Sequence, residues 1–427
     1  MNIMNELALE TKYNIETSGK ENFILSEDLR SKADQVLATT DFPTSRTEAW
    51  KYTRVGKIKN GVFKTLDIRQ KTIDLKPFLI PNLTGSVLVF VNGFYASELS
   101  TIEDEKGLDI SPISESTKFA DTFLGQQVPL ENEIFNAINT VYATDGVCVR
   151  ILKDAQIKQS IQVIFINSGE NTFSGIRNII SCEDFAKAHI VLNYVSLDSS
   201  ATFNNSISEI HVGTNANLTI DKIQQEDSSN YNIISEYVNQ AKDSTFTINT
   251  ITLDGGLVRN NLTIEVNGHN CETNLSGAYV LKGKQHVDNH TVVDHKVAHC
   301  QSNELYKGVI DDQATAVFNG KVFVRKDAQK INAFQSNGNV LLSDNATVNS
   351  KPELEIYADD VKCSHGSTTG QLDEEAIFYL RARGISEKGA RALMVSAFIG
   401  DVIEKIENEA VQEYVYGKLE EKFGWVK

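Results

Sequence analysis

A cysteine and a histidine two residues apart, Cys363 and His365, are the residues of this sequence best suited to metal chemistry. A thiolate and an imidazole are ligands that zinc, iron and copper accept. On a β-strand, side chains two residues apart share one face and lie roughly 6 to 7 Å from each other along the strand. The pair therefore predicts a metal or cluster site that is incomplete, because two ligands cannot fill a tetrahedral set.

The segment around this pair, residues 352–366, has the pattern of a strand. Apolar and polar residues alternate over residues 354–358, which is typical of a half-buried strand. If the alternation continues, Cys363 and His365 lie on the outward face together with Tyr357. Asp359 and Asp360 are adjacent, so on a strand they would point to opposite faces and could not act as an acid and base pair.

Four histidines recur at intervals of four, five and four residues: His286, His290, His295 and His299. On a helix this spacing would suggest metal ligands. The intervening residues are rich in Val and Thr, which favours a strand. On a strand the first two histidines share a face and His295 points the other way. We therefore interpret the four as polar wall positions and not as one metal site.

The composition limits the classes of partner and compartment. A formal charge of -16, without any run rich in Lys and Arg, argues against nucleic-acid binding. The first residues contain no apolar stretch of signal-peptide length, and the densest early apolar run, residues 87–91, has the length of a strand. Five widely spaced cysteines, odd in number, indicate reduced thiols. We expect a soluble cytoplasmic protein without a membrane span.

Short β-branched runs separated by turn residues dominate the chain from about residue 85 to residue 365. A small residue that opens an alternating run recurs at Ala188, Ala216, Ser244 and Ala298, with separations of 28, 28 and 54 residues. A period near 28 residues is too short for a propeller blade and favours the coils of a parallel solenoid. A two-sheet sandwich is the alternative architecture, because short strands at regular spacing fit it too.

These patterns divide the chain into three parts. Residues 1–84 are predicted to be mostly helical, residues 85–365 to form the β core with a helical insertion near residues 112–145, and residues 366–427 to form a small C-terminal helical domain. The expected fold class is mainly β, a parallel β-helix with helical regions at both ends. A solenoid has open ends, whose strand edges invite pairing with another chain unless they are capped.

Two aromatic residues of the C-terminal helices are candidates for partner binding. Phe398 lies near the end of a long apolar stripe, in a domain too small to bury all of its apolar side chains. Tyr379 lies on the preceding predicted helix. We expect both to contact a partner.

A segment near the N-terminus, residues 44–53, places Trp50 and Tyr52 among basic residues. We interpret it as a surface turn whose aromatic side chains pack on the next domain. A binding loop is the alternative.

Several segments of the C-terminal third form a long, ordered match to one known family: HCQSNELYKGVI (residues 299–310), VFNGKVFV (317–324), DAQKINAFQSN (327–337), SKPELEIYADDVKCSHGSTTGQLDEEAIFYLRARGI (350–385), and Ala397 with Phe398. In these segments the chain resembles the SufB/SufD family of iron-sulfur cluster assembly proteins. SRTEAWKYT (residues 45–53) and NAINTVYATDG (136–146) resemble its SufD branch.

The resemblance implies a right-handed parallel β-helix and a non-catalytic scaffold function in iron-sulfur cluster assembly. It implies that a SufB-like subunit binds at the β-helix end and that a SufC-like ATPase binds the C-terminal helical domain. It places Cys363 and His365 at the subunit interface, as ligands of a transient nascent cluster shared with the partner, with His365 as the better candidate. A homodimer of the isolated chain through the same edge stays open.

Two positions depart from the SufB pattern. Ser336 stands where SufB has a cysteine, and Gly366 stands where SufB can have an acidic residue. Both departures favour the SufD branch and an incomplete cluster site on this subunit. The competing hypothesis is a metal-dependent β-helix enzyme that acts on polysaccharides, and such an enzyme would need a charged cleft on its outer wall.

Overall fold

The computed structural model describes residues 15–17, 24–69, 72–116 and 119–423. Two long sheets, built almost entirely of parallel strands, face each other in a β-solenoid of about eight turns. In chain order the strands are β1 (Ile15–Glu16), β2 (Phe63–Thr65), β3 (Val87–Val91), β4 (Phe94–Tyr95), β5 (Leu108–Pro112), β6 (Val147–Ile151), β7 (Ile161–Asn167), β8 (Thr172–Cys182), β9 (Lys187–Ser196), β10 (Thr202–Val212), β11 (Asn217–Gln225), β12 (Tyr231–Gln240), β13 (Thr245–Thr252), β14 (Leu257–Val266), β15 (Glu272–Leu281), β16 (His286–His295), β17 (Gln301–Ile310), β18 (Thr315–Val324), β19 (Ile331–Leu341), β20 (Thr347–Ile356) and β21 (Val361–Gly370).

Helices lie before, beside and after the solenoid. They are α1 (Glu27–Thr39), α2 (Gly56–Asn60), α3 (Phe119–Phe123), α4 (Ile134–Tyr142), α5 (Glu374–Ala382), α6 (Glu387–Ile403) and α7 (Glu409–Phe423). Local capping explains several of their ends, since Ser26 accepts a hydrogen bond from the Leu29 amide at the start of α1 and Ser386 accepts one from the Gly389 amide at the start of α6. Within the described ranges, no helix is both long and apolar enough to cross a lipid bilayer.

The chain alternates between the two sheets, so that from β9 to β19 each strand pairs in parallel with the strands two places before and after it. Equivalent positions in consecutive coils, followed from Lys187 to Lys362, lie 27 to 31 residues apart. The predicted parallel solenoid is therefore confirmed, and the sandwich alternative is wrong.

The residues that mark the repeat differ in part from the sequence-based choice. Ala216 and Ser244 do occupy equivalent positions, but the residue equivalent to them one coil earlier is Ala186, and later coils place Cys271 and Cys300 there. The predicted marker positions slipped because the turns between the strands vary in length, which shifts the period from coil to coil.

The solenoid interior is filled by alternate side chains of each strand. In β13, Phe246 and Ile248 stack between Leu218 and Ile220 of the coil below and the equivalent residues of the coil above, and all four named side chains are fully buried. Full burial of such a side chain contributes about 1.5–3 kcal/mol. Stacked apolar rows therefore hold the coils together in addition to the backbone hydrogen bonds.

The N-terminal region is fastened to the outer face of the first sheet through Trp50. Its ring centroid lies 3.7 Å from the guanidinium carbon of Arg259 and 5.0 Å from the ring centroid of Phe135 on α4. Trp50 is only 8% exposed. Trp50 thus packs on the core, as the first interpretation of residues 44–53 expected, whereas Tyr52 is 42% exposed.

A buried charge pair underlies this contact. Arg259 donates to an Asp288 carboxylate oxygen at 2.6 Å, and His290 lies 3.0 Å from the other oxygen. Burial opposes ionisation of Asp288, but the Arg259 charge and the hydrogen bonds from His290 and Thr53 outweigh it and hold the pKa of this carboxyl below its usual value. The pair ties Thr53, at the end of the aromatic turn, to the sheet.

The C-terminal helices pack against the outer face of the second sheet. Lys307 on β17 donates to the Phe398 carbonyl oxygen at 2.8 Å, forms an ion pair with Asp401, and lies 4.7 Å from the Phe398 ring centroid. Further along the same face, Gln225 donates to the Tyr414 hydroxyl at 2.7 Å. These contacts place the helical domain along the solenoid wall.

One interior carboxyl stands without a partner. Glu226 follows β11, is fully buried, and neither of its carboxyl oxygens bonds another residue in the part of the chain that the structure describes. Burial, with a smaller contribution from the charge of Asp254, raises the pKa of Glu226 to about 8. The protonated form is therefore favoured in the folded chain.

We predict that Glu226→Gln makes the free energy of unfolding less dependent on pH. The pKa of Glu226 is higher in the folded state than in the unfolded state. Its protonated side chain therefore contributes to the free energy of unfolding, and this contribution is complete below the unfolded-state pKa and is lost as the pH rises towards 8. Between pH 5 and pH 8 the free energy of unfolding of the variant should rise relative to that of the wild type by a few kcal/mol, at about 1.4 kcal/mol per unit of pKa difference. Urea unfolding at both pH values measures this, and the exposed Glu272→Gln is the control. An equal pH dependence in wild type and Glu226→Gln would contradict the prediction.

Candidate functional site

The last coil of the solenoid ends in two open strand edges. β20 pairs only with β18, and β21 pairs only with β19, among the residues that the structure describes. The backbone amide and carbonyl groups on the free side of each strand are therefore available to another chain. In β21 every residue from Ser364 to Gly370 is exposed.

Cys363 and His365 lie on one face of β21, as their spacing predicts, but that face is not the outward one. Cys363 stacks on Ala333 and His365 on Gln335, and both of these β19 residues are buried inside the solenoid. Cys363 is half-buried against the main core, whereas His365 is exposed. The pair therefore lies at the open mouth of the solenoid interior.

The prediction of an outward face was wrong because the alternation does not continue past residue 356. β20 ends at Ile356, a bend follows at Asp359 and Asp360, and β21 begins in the other sheet. The bend is held by hydrogen bonds between the backbones of Lys330 and Asp360 and from the Asp360 amide to the Gln329 side chain. A corner resets which alternate set of side chains points inward.

A buried polar row continues from His365 into the solenoid. Gln335, directly beneath His365, donates to a carboxyl oxygen of Glu304 in the next coil at 2.7 Å. Thr291, on the opposite sheet, donates to the other carboxyl oxygen of Glu304 at 2.5 Å. Burial raises the pKa of Glu304, and these two hydrogen bonds only partly offset it. The row was missed from the sequence, although Glu304 occupies an interior position of an alternating strand.

Serine side chains close the mouth beside this row. Ser367 on β21 donates to the Ser350 hydroxyl on β20 at 2.7 Å, and Ser350 donates to the Asn337 side chain at 2.8 Å. These bonds join the two edge strands across the interior. They hold the backbone that carries Cys363 and His365 in place.

The chemistry of the pair is that of two ligands without a third. In the described residues there is no group of three or more His, Cys, Asp or Glu side chains placed to hold a metal ion. Burial raises the pKa of the Cys363 thiol, which disfavours the free thiolate until a metal or a positive partner approaches. The His365 side chain has no hydrogen-bond partner among the described residues, so its imidazole is available as a ligand.

The four histidines of β16 and the following turn do not come together. His286 and His290 point outward, towards Thr53 and Asp288, whereas His295 points into the core and hydrogen bonds Ser302 at 2.9 Å. His299 lies in the next turn with a positive φ of 65°. His286 and His290 agree with the interpretation as wall positions of a strand, whereas His295 is a core residue and His299 is a turn residue.

The two aromatic candidates of the C-terminal helices have different surroundings. The Phe398 ring contacts Lys307 and packs against an apolar cluster that includes Val309 and Val340 of the second sheet, so its contacts lie within the chain. Tyr379 on α5 is 56% exposed, and Phe378 beside it is 72% exposed. Leu393 on α6 is exposed as well. Partner binding by Tyr379 and Phe398 stays a prediction.

Comparison with known proteins adds to this geometry. Residues 164–398 match the family model for the SufBD core domain of SUF-system FeS cluster assembly, and residues 10–163 match the model for the SufBD protein N-terminal region. An iron-sulfur cluster assembly SufBD family protein from Synechocystis is 32% identical over 413 residues, which covers 92% of this chain and 90% of the relative.

Two relatives carry the name of one branch. The iron-sulfur cluster assembly protein SufD of Escherichia coli is 29% identical over 391 residues, covering 90% of both chains. SufD of Bacillus subtilis is 26% identical over 311 residues, covering 70% of this chain and 69% of the relative. With a core-domain match over more than half of its length and a solenoid that ends in an open edge, the chain belongs to the SufBD family of iron-sulfur cluster assembly proteins.

Proposed function

We propose that this chain is a non-catalytic scaffold subunit of an iron-sulfur cluster assembly complex, and that it pairs with a SufB-like subunit through the open edge of β20 and β21. The observation that carries the proposal is the free edge itself, with an exposed imidazole and a half-buried thiol beside it. A partner strand that pairs with this edge would satisfy its backbone groups and bury its side chains. Without the SufB-like subunit, two copies of this chain would pair through the same edge.

The nascent cluster is the cargo of this interface. Cys363 and His365 would supply two ligands from this chain, and the partner would supply the others, since no third ligand lies nearby in the described residues. Ser336 follows Gln335 on β19 and is exposed on the opposite face of that strand, so it adds no ligand to the polar row. A shared and incomplete site suits a cluster that is assembled and then released.

The C-terminal helices are the proposed docking surface for a SufC-like ATPase. Phe378, Tyr379 and Leu393 are exposed apolar side chains on α5 and α6. A shallow groove where α5 ends and α6 begins is lined by Phe378, Arg381 and Ile385. Aromatic and Arg side chains of this kind dominate the binding energy of protein interfaces.

We propose a cytoplasmic location, because all five cysteines are free thiols.

We predict that His365→Ala lowers the rate of cluster assembly in the complex reconstituted with its SufB-like and SufC-like subunits. Loss of a direct ligand should cost at least about tenfold, because even residues that only orient metal ligands cost 10–100-fold. Absorbance of the assembled cluster and its transfer to an apo-protein acceptor measure the rate.

Ser364→Ala is the matched control, because Ser364 is exposed on the same strand and points to the other face. Size-exclusion chromatography of each complex separates loss of the ligand from loss of the interface. Unchanged assembly by an intact His365→Ala complex would remove His365 from the site.

We also predict that replacing both Phe378 and Tyr379 by Ala weakens binding of the ATPase subunit. Central aromatic residues of an interface typically contribute 2 kcal/mol or more, so the dissociation constant should rise by about 30-fold. Isothermal titration measures it. Phe334→Ala removes a comparably exposed aromatic side chain from the solenoid wall and serves as the control. The docking assignment fails if the double variant and the Phe334→Ala control both bind the ATPase as tightly as the wild type does.

A further inference from the structure

A positively charged cleft lies between the N-terminal region and the turn that joins β15 to β16. Its volume is about 610 Å³. Six side chains from three distant parts of the sequence define it: Tyr52, Arg54, Lys57, Tyr231, Lys282 and Lys284. No residue of the β20–β21 edge contributes to it.

The four cations of the cleft have no carboxylate partners. Arg54, Lys57, Lys282 and Lys284 take part in no ion pair within the described ranges, although the whole chain carries a formal charge of -16. Cations that converge without neutralisation in an acidic protein create a local positive field that attracts anions.

The acidic residue that lines the cleft is already engaged. Asp254 accepts hydrogen bonds from the Gln285 side chain and from the Gly255 amide. Lys422 of α7 lies behind Gln285, with its amino group 3.4 Å from the Gln285 side-chain oxygen. One carboxylate among four cations leaves the lining of the cleft with a net positive charge.

Two tyrosines give the cleft an aromatic component. Tyr52 is 42% exposed, and Tyr231 is partly exposed beside Lys57, whose amino group lies 5.9 Å from the Tyr231 ring centroid. Exposed tyrosine rings offer apolar faces for a planar group and hydroxyls for hydrogen bonding. The cleft volume lies within the range of about 300–1,000 Å³ that is usual for small-molecule sites.

We propose that this cleft binds a phosphate-bearing small molecule with a planar ring, of the nucleotide class. Arg54 and Lys57 from one side and Lys282 and Lys284 from the other hold the phosphates, because guanidinium and ammonium groups form charge-assisted hydrogen bonds with phosphate oxygens. The ring lies against a tyrosine. This binding activity is additional to cluster scaffolding, since the cleft shares no residue with the Cys363 and His365 pair.

Isothermal titration of the full chain with adenosine diphosphate tests the proposal, with pyrophosphate and adenosine as probes for the two halves of the ligand. We expect adenosine diphosphate to bind with a dissociation constant below about 1 mM. Each half should bind at least about tenfold more weakly, and higher salt should weaken binding of the phosphate probes. No binding of adenosine diphosphate at about 1 mM overturns the proposal.

Variants identify the residues. Lys282→Glu combined with Lys284→Glu should weaken adenosine diphosphate binding by at least about tenfold, or about 1.4 kcal/mol. Lys326 is exposed in the turn that follows β18 and does not line the cleft, so Lys326→Glu should not change adenosine diphosphate binding. Tyr52→Ala should weaken binding of adenosine diphosphate and leave pyrophosphate unaffected. Thermal unfolding checks that each variant is folded, which is expected because these side chains are exposed.

Two results count against the assignment. If the double lysine variant binds as the wild type does, the cleft is not the site. If pyrophosphate binds as tightly as adenosine diphosphate, the ligand is a simple anion and the ring is not recognised.

Discussion

The in-register stacking of parallel strands is the constraint on which the rest of this structure depends. Each strand from β9 to β19 satisfies its backbone groups with the coils on either side, and the inward side chains meet their equivalents in those coils. Each added coil presents a new strand edge that could pair with a further coil, so the last coil of a stack ends in unpaired strands. The free edges of β20 and β21 are therefore a direct consequence of the architecture, and the proposed subunit interface lies there because pairing is still possible there.

The interior changes its chemistry towards that edge. One inward row reads Ile190, Ile220, Ile248, Leu275, Glu304, Gln335 and His365 from coil to coil. The first four residues are fully apolar and support the stack, whereas the last three form a polar row that leads to the open mouth. An apolar row at the mouth would leave a hydrophobic surface exposed before assembly, and it would offer no ligand. The replacement of Ile and Leu by polar residues fits a row that ends at a metal-binding interface.

The outer walls are covered on two sides by segments that are not part of the stack. The Trp50 and Arg259 contact, backed by the Asp288 carboxylate, fastens the N-terminal region to the first sheet. Lys307 fastens α6 to the second sheet through Phe398 and Asp401. These attachments use side chains on the outer face, and the N-terminal region reaches the last coil only through the ion pair of Glu48 with Lys351 on β20, so the strand edges of β20 and β21 stay free in the described residues. The N-terminal attachment also creates the basic cleft, which lies where the N-terminal region meets the β15–β16 turn.

Local patterns in the sequence determined the strand content, the solenoid period and the pairing of Cys363 with His365 on one face, because alternation and repeat length are properties of neighbouring residues. The resemblance carried by residues 350–385 added the family. Only the tertiary structure decided that this face points into the solenoid. A corner at residues 357–360 moves the chain to the other sheet and changes which alternate side chains point inward. It also decided that Glu304 and Gln335 lie beneath His365, and that Arg54 and Lys282 meet in one cleft. These side chains are tens to hundreds of residues apart, and the stacking register, which no local pattern encodes, brings them together.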